Sequence, residues 1–165
     1  MVTLEIDEFN GAGATATHNI ANANMGGVDS AGLDPIANPI VAGARSFAKY
    51  QKIHITAMGG SSKVDNLKVW RTGALGGSAT HVTNARTTSY ANISYATPTQ
   101  SAVSGVDQAM PTSTPSTANL GIGGSLTGSL TAVGSSDYLV HQIVTDSGDT
   151  VGSTSTLNFQ YDETA

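Results

Sequence analysis

Two stretches of this chain alternate so regularly that they leave little choice of secondary structure. They are Phe47 to Arg71 (FAKYQKIHITAMGGSSKVDNLKVWR) and Ser136 to Glu163 (SDYLVHQIVTDSGDTVGSTSTLNFQYDE). Each holds two alternating runs joined by a Gly/Ser-rich turn. A period of two puts successive side chains on opposite faces of a strand. Ile53, Ile55 and Ala57 share one face of the first run, and Lys52, His54 and Thr56 share the other. After Gly59-Gly60-Ser61-Ser62 the chain returns, with Leu67 and Val69 facing one way and Lys68 and Trp70 the other. Asp137 to Thr145 is apolar on both faces, the mark of a central strand. Ser155 to Tyr161 closes the pattern with Leu157, Phe159 and Tyr161 inward. The predicted core is therefore Ile53, Ile55, Leu67, Val69, Val140, Ile143, Leu157 and Phe159.

The rest is weaker. Val2 to Phe9 alternates, with Leu4, Ile6 and Glu8 on one face and Glu5, Asp7 and Phe9 on the other. Asn10-Gly11 follows, a common hairpin dipeptide, and a faint return runs to Ile20. Residues 21–44 show neither period and carry loop punctuation at Met25-Gly26-Gly27, Asp34-Pro35 and Asn38-Pro39. So long an unpatterned stretch is either mobile or laid over something. Minor strands are expected at 80–84 and 89–95, a surface loop at 97–119, and one irregular strand within 120–133. No helical period appears. The expected fold is all-β, an antiparallel β-sandwich of jelly-roll or immunoglobulin-like type. Residues 47–165 form the sandwich domain and residues 1–46 an N-terminal arm with room for a short hairpin. The apolar strip Val2, Leu4, Ile6 and Phe9 is the candidate partner-binding element, added as a strand to a neighbour's sheet edge.

Composition narrows function by exclusion. At 165 residues the prior is one domain. There is no cysteine, so neither a disulfide nor a metal–thiolate site can form. Only 12% of residues are charged, against roughly 25% in an ordinary soluble domain. No basic stripe offers a nucleic-acid footprint, and no apolar run approaches the ~20 residues of a membrane helix. The acidic, alternating opening MVTLEIDEFNG lacks the form of a signal peptide. His18, His54, His81 and His141 sit in no ligand motif; His54 and His141 lie mid-strand and could meet across a sheet, but each reads as a half-exposed strand residue. Asp146 and Asp149 read as a solvated turn rather than a calcium loop. Trp70 is either a sugar-stacking platform or packing under a second layer. Nucleophile elbow, P-loop and dinucleotide fingerprint are all missing. The expectation is a protein that is not an enzyme, with no catalytic residue, no metal and no cofactor. A low-charge Ser/Thr/Ala/Gly surface suits two settings, an extracellular β-protein or a surface covered by neighbours.

The segments FAKYQKIHITA, VDNLKVWRTG, SDYLVHQIVT and LNFQYDE together resemble small virion proteins of tailed bacteriophages, among them capsid decoration (cement) proteins. The resemblance covers roughly the last two-thirds of the chain and rests on structural motifs, not catalytic ones. It implies a structural protein on the capsid surface of a virion, assembled in the bacterial host cytoplasm. Its partners would be the major capsid protein and further copies of the chain as a dimer or trimer, with no nucleic acid and no membrane. The alternatives are a tail or baseplate component, or a carbohydrate-binding β-sandwich of an adhesin or fibre.

Overall fold

The computed structural model describes residues 1–87, 90, 108–149 and 152–165, and the described residues contain no helix. Among the described residues ten strands form two antiparallel sheets packed face to face. They are β1 (Thr3–Asn10), β2 (Thr15–Thr17), β3 (Lys49–Ala57), β4 (Lys63–Thr72), β5 (Thr80–Thr87), β6 (Gln108–Ala109), β7 (Ser129–Leu130), β8 (Gly134–Ser135), β9 (Tyr138–Val144) and β10 (Thr156–Thr164). The large sheet runs β2-β1-β3-β9-β5-β6, with β8 also on β3; the small sheet runs β10-β4-β7. The expected minor strand at 89–95 lies outside the described residues, Tyr90 excepted.

The core forms where the strands' apolar faces meet. Ile53, Ile55 and Leu139 of the large sheet face Val64, Leu67 and Val69 of the small one, all at most 1% exposed. Leu4, Ile6, Leu157 and Phe159 pack on its margin. Fully burying Ile53, Ile55, Leu67 and Leu139 contributes about 1.5–3 kcal/mol each, and the half-buried margin residues contribute less. The most apolar strand is central, as its two-sided pattern predicts: β9 lies between β3 and β5. Val140 turns to the opposite face of the large sheet and packs with Tyr50 and Tyr138. Ile143 is only partly buried.

One edge of β3 is shared by two partners. Lys49–Gln51 pair with β9 and His54–Ile55 with β8. At the changeover Ser136 donates its N–H to Ile53 O (2.9 Å) and accepts the Ile53 N–H on Oγ (3.0 Å). The hydroxyl thereby replaces a backbone carbonyl and keeps the buried ladder satisfied.

The expected N-terminal arm is a correction. β1 pairs with β3 along its length, from Leu4 opposite Ile55 to Phe9 opposite Tyr50, and lies inside the large sheet. The boundary drawn at 46/47 therefore cuts between two paired strands. The physical reason is that the apolar alternation of β1 matches β3 in this same chain, so its backbone and its apolar face are satisfied without a neighbour. The terminus is tied down as well: the Met1 ammonium donates to Gly59 O (3.1 Å) and Val2 N–H to Glu163 Oε2 (2.9 Å). Gly59 has φ +58°, and a Cβ there would lie 1.8 Å from Met1 O, so glycine is required. Residues 21–46 form no strand of their own, though Arg45 bridges to Val144 at the end of β9. Asp29 accepts from Asn10 Nδ2 and Gly11 N–H (2.8 Å each), and Phe47 N–H reaches Gly26 O at 2.9 Å.

Candidate functional site

The pleat of β1 and β3 sorts their charged residues onto two faces. On the outer face Glu5 lies opposite His54 and Asp7 opposite Lys52. The turn at 11–14 sends the chain back through β2, and His18 arrives over the same patch. The return is fixed by Ile20 N–H donating to Ile6 O (2.9 Å), after a left-handed Asn19 (φ 53°). Asparagine tolerates that conformation better than most residues.

Four side chains converge there. His18 Nδ1 is 2.9 Å from Asp7 Oδ1 and 3.5 Å from Glu5 Oε1. His54 Nδ1 is 3.1 Å from Asp7 Oδ2 and 3.2 Å from Glu5 Oε1. One ligand atom from each residue lies within 4.8 Å of the others. Asp7 is only 3% exposed, yet its Oδ1 accepts no well-formed hydrogen bond, although an imidazole nitrogen touches it. Such a group can act as two ion pairs with protonated histidines or as an N₂O₂ cradle for a cation. Beside it Lys52 Nζ sits 4.0 Å from the Tyr138 ring centroid, a cation–π contact. Burial lowers the Lys52 pKa, with Asp137 opposing the shift, and burial raises that of Tyr138.

The inner face holds a different set. Glu8 and Lys49 are both fully buried and paired at 2.6 Å, and Lys49 also donates to Ser30 O at 2.6 Å. Gln51 Nε2 reaches Glu8 Oε2 at 3.4 Å, and Gln51 Oε1 faces His141 Nε2 at 3.2 Å. His141 Nδ1 then meets His81 Nε2 at 2.8 Å. The network assigns the protons: an amide oxygen only accepts, so His141 Nε2 donates and its Nδ1 accepts from His81 Nε2–H. All donation runs from His81 through His141 and Gln51 to the Glu8 carboxylate. His81 Nδ1 is left as a buried acceptor without a partner. Burial first, then the nearby Arg71 charge, lowers the His81 pKa to about 4. Burial, His81 and Lys49 hold His141 well below the ordinary imidazole range.

His54 is half-exposed as expected, whereas His141 is buried on the inner face. His54 and His141 do not meet, because they lie on opposite faces of the sheet. Lys49 pairs with His141 across β3 and β9, which puts His141 on the face of odd-numbered β3 residues and leaves His54 on the other. The candidate strip is also placed internally. Val2 is buried in the core, Leu4 and Ile6 pack against it, and Phe9 meets Tyr138 edge-on at 5.2 Å. Val2 is thus buried, and Leu4, Ile6 and Phe9 are half-buried, within this chain. Asp149 spends its carboxylate on Ser78 N–H (2.6 Å), Ser78 Oγ (3.0 Å) and Asp146 N–H (2.6 Å), joining two loops. Those bonds, led by the one from Asp146, lower its pKa. Trp70 is half-buried on the outer face of the small sheet, opposite Asn158. The convergence of Glu5, Asp7, His18 and His54 escaped sequence reasoning. Its only sequence signal is the i, i+2 spacing of Glu5 and Asp7 on the face that pairs with His54.

Comparison with family models, with curated proteins and with solved structures found no match to this chain.

Proposed function

We propose that this protein is a non-catalytic structural component of a virion, a capsid decoration protein that binds the major-capsid lattice as one of many copies. The observation that carries the reading is the uneven protection of its sheet edges. Three edge strands, β2, β6 and β7, are three, two and two residues long, whereas β10 presents nine residues. Among the described residues β10 pairs with β4 alone. A long edge strand is a template for pairing with another chain, and proteins that stay apart blunt such edges with lysines, bulges or covering segments. β10 has no lysine and no proline; a shift of its register on β4 between Gln160 and Asp162 and the acidic pair Asp162–Glu163 interrupt the edge only toward its end. The low-charge surface and the resemblance of four segments to small virion proteins point the same way. On a lattice, many weak contacts of this kind add to firm retention through multivalency.

The test is cryo-electron microscopy of particles that carry the full chain with a label. Regular label density on the capsid, reduced in Gln160→Lys, supports the reading. Label confined to the tail, particles without label, or glycan-array binding that disappears in Trp70→Ala would each overturn it.

A further inference from the structure

We propose that Glu5, Asp7, His18 and His54 form a binding site for a single divalent ion of the zinc type. The argument starts from distances. A metal with ligands at about 2.1 Å holds neighbouring donor atoms about 3.0–3.4 Å apart. His18 Nδ1 is 2.9 Å from Asp7 Oδ1 and 3.5 Å from Glu5 Oε1, and His54 Nδ1 is 3.1 Å from Asp7 Oδ2 and 3.2 Å from Glu5 Oε1. With one donor atom taken from each residue, all four lie within 4.8 Å of one another. Hydrogen bonding explains the packing in part: His54 Nδ1 bonds Glu5 Oε1 at 3.2 Å, but Asp7 Oδ1 lies against His18 Nδ1 and still lacks a hydrogen bond of proper geometry. That carboxylate is buried, so the ordinary compensation by water is denied it.

Donor chemistry narrows the ion. Two imidazole nitrogens with two carboxylates suit Zn²⁺ and its first-row neighbours, whereas Ca²⁺ and Mg²⁺ take oxygen ligands. Drawn in from at most 4.8 Å apart, four protein donors would complete a tetrahedron, the pattern of a closed structural site rather than one with a position left for substrate. Three donors stand on paired strands, Glu5 and Asp7 on β1 and His54 on β3. The fourth, His18, comes from the return segment after β2 and is 60% exposed. The ion therefore ties that segment to the face of the large sheet. This inference does not depend on the virion reading.

The experiment uses the full chain, stripped with a chelator and titrated with Zn²⁺ by calorimetry. One ion per chain should bind with a micromolar or tighter Kd. His18→Ala and His54→Ala should each weaken it at least tenfold, and Asp7→Asn should abolish the rise in Tm that saturating Zn²⁺ gives the native chain. Nuclear magnetic resonance of the unaltered chain reads the same site without a variant: Zn²⁺ should shift the ring signals of His18 and His54 and leave His81 and His141 in place. No stoichiometric binding, binding that survives in a folded His18→Ala/His54→Ala double variant, or equal displacement by Mg²⁺ would overturn the assignment. So would Zn²⁺ shifts at His81 and His141 in place of the outer pair.

Discussion

The two faces of the large sheet carry the same side-chain chemistry and put it to opposite uses. Each gathers two histidines and at least one carboxylate. On the outer face the imidazole nitrogens turn toward the oxygens of Glu5 and Asp7, and His18 stands largely in solvent. On the inner face the imidazoles bond each other and Gln51, and the carboxylate of Glu8 already has an ammonium partner. The outer set has donor capacity left for an ion. The inner set is spent on a one-way run of hydrogen bonds that ends on Glu8. The inner set of Glu8, Lys49, Gln51, His81 and His141 is buried throughout, and each of its polar groups except His81 Nδ1 is matched. The outer set instead joins a buried Asp7, whose Oδ1 is unmatched, to an exposed His18.

The contrast can be broken most severely at Lys49. Lys49→Met leaves Glu8 buried with no counter-charge and should cost about 3–5 kcal/mol. Adding Glu8→Leu should recover most of that loss, because an apolar pair replaces a charged one. Urea unfolding of both variants measures the difference, and a double variant as weak as the single one would show that the network, not the pair, matters. At the apolar end of the same face, Ile53→Ala should cost about 2–5 kcal/mol through lost burial and a residual cavity.

Acid tests the inner histidines next. They are held neutral in the fold, whereas the unfolded chain takes up protons at ordinary imidazole values. Stability is therefore complete above pH 6.5 and is lost as pH falls toward the His81 value of about 4. The loss assigned to His81 is on the order of 3 kcal/mol across that window. Unfolding curves at pH 7, 5.5 and 4.5 should show it, and His81→Gln should flatten the slope. The smallest effect belongs to the outer face: without metal, His18→Ala should change stability by no more than about 0.5 kcal/mol, as for other exposed positions. A larger loss in chelator-treated protein would mean that His18 acts as an ion-pair partner in its own right.

Strands were far more legible than their neighbours. Alternation around Ile53 and Ile55, Leu67 and Val69, and Leu157 and Phe159 marks β3, β4 and β10, because one face of each is apolar. It marks β1 as well, but a period of two names a strand's faces and not its partner. That is why Val2, Leu4, Ile6 and Phe9 read as a strip seeking a neighbour. Lys49 and Glu8 were hidden for a related reason: a charge at an inward position looks like an exposed one until its counter-charge is seen, and the two are 41 residues apart. The outer cluster depends on a turn that brings His18 back over Glu5 and Asp7. Nothing local encodes that contact except Asn10-Gly11, which signals a turn without saying where it lands.

The shared edge of β3 has a consequence for how the chain is made. Ser136, between β8 and β9, lies 83 residues beyond Ile53, and His141 of β9 lies 90 residues beyond Gln51. Synthesis from the N-terminus delivers β1, β3 and β4 long before the strand that closes the large sheet. Until then β3 has one paired edge and one bare edge, and Ile53 and Ile55 have only part of their cover. Long-range pairing of this sort is slow to form and leaves sticky intermediates. The nascent chain should therefore need a chaperone or low temperature until about Val144 has left the ribosome, after which the sheet can close.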